Sequence, residues 1–195
     1  MAIEIKESLL HWNYFLALEN DFLKVSRYIE FAEPNFSTYS IELAHLLLAS
    51  SSEVDVVLKQ LCTELDNTSS VSNINEYRDL ITRELAEFSI EEVFIPRYAT
   101  TLKPWSNWNR NANPDWWRSY NNVKHQRNTY FQEANLRNAL NAMAGLLVSI
   151  FYYYKVKFTK LDAVFKQPKE VNDRLKPELQ FFQFRDSYYF SHLVV

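Results

Sequence analysis

The longest apolar run in the sequence is AMAGLLVSIFYYY, which extends from Ala142 to Tyr154. Ser149 interrupts it, and it is too short to cross a bilayer, which takes about 20 apolar residues in a helix. The run therefore predicts the buried central part of a helix that extends from Glu133 to about Lys157. Gly145 lies inside this helix and predicts a point where another part of the chain packs closely against the backbone.

Helical periodicity on either side of this run predicts four more helices in a mainly all-α domain. They are Leu9 to about Phe31 with Ser8 as N-cap, Tyr39 to about Leu65 opened by Ser37 or Thr38, a shorter helix from an Asn75 cap to about Leu85, and Asp115 to about Tyr130 with Pro114 in its first turn. The single glycine among 195 residues disfavours sandwiches, barrels and glycine-rich nucleotide loops, because these need turns with positive φ.

The sequence thus predicts one five-helix domain over residues 1–195. Residues 1–66 are expected to form a long helical hairpin, and residues 114–157 the last two helices. A change in apolar spacing predicts an extended arm or small hairpin over residues 93–113. A terminal hairpin is expected over residues 178–193.

The cysteine content indicates the redox environment of the protein. Cys62 is the only cysteine, and its apolar helical surroundings predict a buried core side chain in preference to a nucleophile. The chain shows neither a Cys/His cluster with metal-ligand spacing nor a recognisable signal peptide. These features predict a soluble cytoplasmic protein with no metal and no cofactor.

Charge is distributed unevenly along the chain. Residues 1–96 hold 6 basic and 17 acidic residues, whereas residues 97–127 hold 6 basic residues and 1 acidic residue. Four of the five tryptophans also lie in residues 97–127, which we call the basic segment. Basic residues interleaved with aromatic residues can bind RNA through phosphate contacts and base stacking. Alternatively, the basic segment packs against residues 1–96, which we call the acidic half, within the chain or across a dimer.

The basic segment contains WWRSYNNVKHQR, residues 116–127. On a helix, Arg118, Asn121, Asn122 and His125 share one face, because positions i, i+3, i+4 and i+7 line up. An imidazole can take the proton from a ribose 2′-OH, and a guanidinium can stabilise the charge that develops on the phosphate. The two asparagines, together with Lys124 and Arg127, are candidate substrate-binding residues.

Arg118, six intervening residues and His125 on a late helix resemble the signature of the HEPN superfamily. Residues 120–127, YNNVKHQR, followed by an apolar helix, are similar to prokaryotic members from toxin–antitoxin, abortive-infection and antiviral systems. The resemblance implies a metal-independent endoribonuclease with Arg118 and His125 as catalytic residues. It also implies a homodimer with two motifs in one cleft, and a protein antitoxin or defence-system partner. The chain departs from the common pattern at Ser119, where family members often carry an amide or an acid.

Structural roles compete with each of these assignments. Arg118 could be a surface cation and His125 a histidine at the core edge, bonded to a backbone carbonyl. The tryptophans of the basic segment could be core or interface anchors. Glu53 and Asp55 could orient Arg118 or His125, or could belong to a buried ion pair. No role is assigned to the remaining histidines, which are His11, His45 and His192.

Two other functions fit the same residues. One is a non-catalytic helical module that binds a protein partner or a second copy through its acidic half and the aromatic residues of the basic segment. The other is a small-ligand or nucleotide sensor that uses the polar stripe of residues 118–125.

Overall fold

The computed structural model describes residues 8–162, 167–175 and 181–189, and the fold is mainly α-helical, as predicted. The α-helices of these residues are α1 Leu10–Val25, α2 Ile41–Leu65, α3 Ile74–Glu84, α4 Asp115–Tyr130, α5 Leu136–Leu161 and α6 Pro168–Leu175. Sequence periodicity missed α6, a short helix that starts at a proline, which is a favoured first residue. Two strands, β1 Val93–Ile95 and β2 Thr100–Leu102, form an antiparallel hairpin within the predicted arm.

The central helix of the fold is α5. Every residue from Ala142 to Tyr154 is buried, which confirms the prediction from the apolar run. The most extensive packing between elements joins α5 to α2, whose buried face includes Cys62. By length and composition α5 could cross a membrane, but 83% of its most apolar 18-residue window is buried inside the protein. It is therefore the core helix of the fold.

Gly145 is the point where the basic segment meets α5. A Cβ atom built on Gly145 would lie 2.9 Å from Trp116 Cζ2 and 3.5 Å from Trp105 Cζ2. The indole of Trp105 donates a hydrogen bond to the Gly145 carbonyl oxygen at 3.2 Å. The indole of Trp116 donates to the carbonyl oxygen of Pro104 at 2.9 Å. The close packing predicted at Gly145 is therefore confirmed, and two tryptophans provide it.

The C-terminal segment pairs with the β-hairpin. Residues 178–180 and 190–193 of the predicted terminal hairpin lie outside the described residues. Within residues 181–189, Gln183 forms an antiparallel bridge with Phe94 of β1, with N–O distances of 2.7 and 2.9 Å. Two buried carboxylates hold this segment: Glu19 accepts from the backbone N–H groups of Phe181 and Phe182. Glu91 accepts from the hydroxyl of Tyr188.

Several helices begin at caps other than those predicted from sequence. The cap of α2 is Ser40, not Ser37 or Thr38, and its hydroxyl accepts from the N–H of Leu43 at 3.1 Å. The cap of α3 is Asn73, not Asn75. The cap of α5 is Asn135, so α5 begins at Leu136, after the predicted start at Glu133. Several polar residues precede each helix, and the backbone conformation decides which of them caps it.

Both predicted ends of α1 were also wrong. Leu9 occupies the N-cap position without a side-chain bond, while the hydroxyl of Ser8 accepts from the side chain of Asn13. The helix ends at Val25 and not at Phe31. The next N–H groups, of Arg27 and Tyr28, bond three residues back, which tightens the chain into a turn.

We predict that Gly145→Ala lowers the free energy of unfolding by about 1–3 kcal/mol, as overpacking does in other cores. The loss should exceed the gain of up to about 1 kcal/mol that alanine brings to a helix, because Trp116 is buried and hydrogen-bonded and cannot move aside. Chemical denaturation measures the change.

A double-mutant cycle identifies the cause. Trp116→Phe removes the indole atoms that lie nearest to Gly145, so Gly145→Ala should cost less in the Trp116→Phe background. An equal cost in both backgrounds would show that the indole contact does not require glycine.

Candidate functional site

Helix α4 turns an aromatic face to the core and a polar face to solvent. Its buried residues include Trp116, Trp117, Tyr120 and Val123. Trp105 and Trp108, just before α4, are buried as well. The tryptophans of the basic segment are therefore core anchors within one chain, and they are neither open stacking platforms nor interface anchors.

The cations of the basic segment remain at the surface. They are Arg97, Lys103, Arg110, Arg118, Lys124 and Arg127, and all six are exposed. Lys103 pairs with Glu92 of the acidic half at 2.6 Å. Among the described residues, Lys124 and Arg127 have no acidic partner within 4.0 Å. The expectation that the segment packs against the acidic half thus holds for Lys103 and not for the cations near His125.

His125 lies in an open groove between α2 and the C-terminal half of α4. The groove has a volume of about 990 Å³, and we call it the basic groove. Its lining residues are Ile41, Leu48, Val123, Lys124, His125, Arg127, Asn128 and Phe131. The His125 side chain is exposed, so the alternative of a histidine at the core edge was wrong. The lining thus combines an imidazole, two cations and an amide with four apolar side chains.

The backbone of α4 is irregular next to His125. Gln126 has φ −142° and ψ 49°, which lie outside the helical region, and the helix is kinked there. Neither proline nor glycine marks this position in the sequence. Residues before and after Gln126 therefore do not belong to one continuous regular helix.

Arg118 lies in a second depression, which has a volume of about 370 Å³ and which we call the Arg118 pocket. Its lining residues are Ile74, Asn113, Asp115, Trp117, Arg118, Asn121 and Asn122. The guanidinium of Arg118 pairs with Asp115 at 3.2 Å, and its side chain is 72% exposed. Arg118 and His125 are seven positions apart in α4, which corresponds to about 10 Å along the helix axis. A single chain thus places the two predicted catalytic residues in neighbouring but separate depressions.

The other predicted binding residues make bonds within the chain. The side-chain N–H₂ of Asn121 donates to the carbonyl oxygen of Trp117 at 2.9 Å. That of Asn122 donates to both carboxylate oxygens of Glu133, at 3.0 and 3.3 Å. Lys124 donates to the hydroxyl of Tyr120 at 3.2 Å, which leaves ammonium N–H groups to face the basic groove.

Glu53 and Asp55 face partners other than Arg118 and His125. Oε1 of Glu53 accepts from Nδ1 of His11 at 2.5 Å, and Gln60 accepts from the other ring nitrogen at 3.1 Å. Glu53 is thus half of a partly buried pair with His11, which agrees with the ion-pair alternative that the sequence left open. Asp55 lies near Tyr77, where burial first and then this carboxylate raise the pKa of the tyrosine to about 12. Among the described residues, neither carboxylate bonds to Arg118 or His125.

The sequence gives no signal for the role of His11, because its partners Glu53 and Gln60 lie on α2, far away along the chain. The hydrogen bond to Glu53 raises the pKa of His11 above its ordinary value of 6.5, against the opposing effect of burial. Both acceptors are oxygens, which suits an imidazolium with two N–H donors. Of the other histidines, His45 is exposed, and His192 lies outside the described residues.

Neither a search for metal-binding groups nor a comparison with known proteins indicates a function. In residues 8–162, 167–175 and 181–189, no group of three or more His, Cys, Asp or Glu side chains could hold a metal ion. No family model, curated protein or solved structure matches the chain.

The His11–Glu53 pair predicts a pH-dependent contribution to stability. Because the pKa of His11 is raised in the folded state, the stabilisation is fully present below the unfolded value of about 6.5. It is lost as the pH rises through the higher folded value. Between about pH 6 and pH 9, the melting temperature of the wild type should therefore fall more than that of Glu53→Gln, which keeps a hydrogen-bond acceptor but removes the charge.

The same titration is visible by NMR at the His11 Cε1–H signal. Its midpoint should lie above about 6.5 in the wild type and shift downward in Glu53→Gln. Parallel melting curves together with equal midpoints would contradict an ionised pair.

Proposed function

We propose that this protein binds RNA and cleaves it without a metal ion, with His125 in the basic groove as the general base. The observation that carries the proposal is the exposed imidazole of His125 between two cations, Lys124 and Arg127, in one open groove of about 990 Å³. Imidazole is the side chain best suited to proton transfer near neutral pH. Cations beside it suit a phosphodiester substrate.

In the proposed reaction His125 removes the proton from a ribose 2′-OH, and the oxygen attacks the adjacent phosphorus atom. Lys124 and Arg127 stabilise the negative charge on the non-bridging oxygens. The bond from phosphorus to the 5′ oxygen breaks, and the imidazolium returns its proton to that oxygen. The products are a 2′,3′-cyclic phosphate and a 5′-hydroxyl end.

Arg118 is the second catalytic residue implied by the HEPN resemblance. Its place in a separate pocket leaves two ways for it to act: on a neighbouring nucleotide of the same RNA, or on RNA bound to a second copy. The homodimer implied by the resemblance is supported by exposed apolar side chains beside the basic groove. Ile41 is 64% exposed, and Tyr39, which contacts Phe131, is 51% exposed. A cytoplasmic defence or toxin–antitoxin role with a protein antitoxin belongs to the same proposal.

The same exposed apolar side chains favour a second candidate function, a non-catalytic module that docks a protein partner. In that case the cations of α4 would lie at the rim of an interface. RNA cleavage separates the two candidates.

We predict that purified wild-type protein cleaves total RNA or tRNA in EDTA and leaves 2′,3′-cyclic phosphate ends. His125→Ala should reduce the rate by a factor of about 10²–10⁴, the usual contribution of a general base. The fold should survive, because the His125 side chain is exposed. A denaturing gel with end-group analysis measures the cleavage, and thermal denaturation checks the fold.

The matched control is Arg97→Ala, which removes an exposed cation of the basic segment that lines neither depression. It should cleave like the wild type. Cleavage that persists in His125→Ala would refute the assigned base. An inactive wild type would favour the docking module.

We also predict that Lys124→Ala and Arg127→Ala each weaken RNA binding to a similar extent for all sequences. Each lost phosphate contact should lower the slope of log K against log salt by about 0.7, the value for single strands. Titrations at several salt concentrations measure this slope, again with Arg97→Ala as control. Unchanged slopes in both variants would place the RNA elsewhere.

A further inference from the structure

The Arg118 pocket has the size and the lining of a ligand site. Its volume of about 370 Å³ falls within the range of small-molecule pockets, roughly 300–1,000 Å³. Ile74 and Trp117 supply apolar surface, and the remaining lining residues are polar. Trp117 is 8% exposed, so it contributes only a small apolar surface to the pocket.

One lining residue carries an unsatisfied acceptor. The side-chain N–H₂ of Asn113 donates to Oδ1 of Asn75 at 3.0 Å, which fixes the orientation of the amide. Oδ1 of Asn113 is buried and has no hydrogen-bond partner among the described residues. A buried acceptor without a partner is unfavourable, and a ligand N–H group that donates to it would remove that cost.

The other amides of the pocket also offer oxygens. Asn121 and Asn122 use their N–H₂ groups in bonds to Trp117 and Glu133, so their Oδ1 atoms remain as acceptors. The carboxylate of Asp115 is a further acceptor. Among the described lining residues Arg118 is the only cation, and it keeps several N–H groups beyond the one that bonds to Asp115.

This pattern matches one nucleobase. The protein acceptors suit a ligand edge that carries several N–H groups. The paired N–H donors of the Arg118 guanidinium suit a second ligand edge that carries two acceptors. Guanine has N1–H and N2–H₂ on one edge, and O6 and N7 on the other, where arginine binds in bidentate fashion. Adenine, cytosine and uracil each offer fewer donors to such a set.

We propose that the Arg118 pocket binds a guanine base, so that the protein cleaves RNA at a fixed position relative to a guanosine. The inference rests on the proposed RNA cleavage. Asn122 of the pocket and Val123 of the basic groove are consecutive in α4. A single strand lying along α4 would therefore place a base in the pocket while its phosphodiester lies beside His125.

Binding of mononucleotides tests the pocket without any cleavage. Calorimetric titration with GMP, IMP, AMP, CMP and UMP should show GMP binding at least tenfold more tightly than the others. IMP is the sharpest comparison, because it differs from GMP only by the missing 2-amino group. Sites built to bond such a group discriminate strongly against its absence.

Variants locate the site. Arg118→Ala and Arg118→Lys should both weaken GMP binding by about tenfold or more, because lysine keeps the charge but not the bidentate fork. His125→Ala should bind GMP like the wild type while it loses RNA cleavage. Arg97→Ala should retain both.

The two proposals fail in different ways. RNA cleavage that depends on His125, together with equal binding of all five nucleotides and cleavage at positions unrelated to guanosine, would overturn the guanine pocket and leave the nuclease. Selective GMP binding by a protein that cleaves no RNA would refute the nuclease and support the pocket as a guanine-nucleotide site.

Discussion

Trp105 and Trp116 meet α5 at Gly145, the only residue in the sequence without a side chain, and the orientation of α4 follows from this contact. Both indoles also donate hydrogen bonds to backbone carbonyl groups, and these bonds fix the orientation of the two rings. Because Trp116 lies in the first turn of α4, it turns one face of that helix to the core. The opposite face, which carries Arg118 and His125, is thereby held at the surface on a rigid element, as a binding or catalytic site requires.

Burial separates the two kinds of residue that alternate in the basic segment. The tryptophans are buried in the core, while the cations stay in solvent. Elsewhere, cations neutralise part of the acidic N-terminal half: Lys155 pairs with Glu87, and Lys160 pairs with Glu64. Lys124 and Arg127 have no acidic partner among the described residues, which is why the proposed function is centred on the basic groove. The kink at Gln126 lies among the residues of α4 that line this groove, with Lys124 and His125 before it and Arg127 and Asn128 after it.

The polar stripe on α4 divides into two sites with different chemistry. The basic groove offers cations and an imidazole, which suit a phosphodiester group. The Arg118 pocket offers mostly acceptors around one guanidinium, which suit the edge of a base. The proposed sequence-selective cleavage would use both kinds of contact, because phosphate contacts position the strand and base contacts give sequence preference. The spacing of Arg118 and His125 along one helix is consistent with one strand that occupies both.

Apolar patterning in the sequence was sufficient to predict the mainly helical fold, the buried run from Ala142 to Tyr154, the close packing at Gly145, the buried Cys62 and the small hairpin near residue 93. These features depend on neighbours along one element, where residues three or four apart share a face. The tertiary structure decided the helix caps, the pairing of Gln183 with Phe94, the His11–Glu53 ion pair and the separation of Arg118 from His125. Each of these depends on which elements pack together, or on a local backbone angle such as that of Gln126, and the spacing of residues along the chain specifies neither.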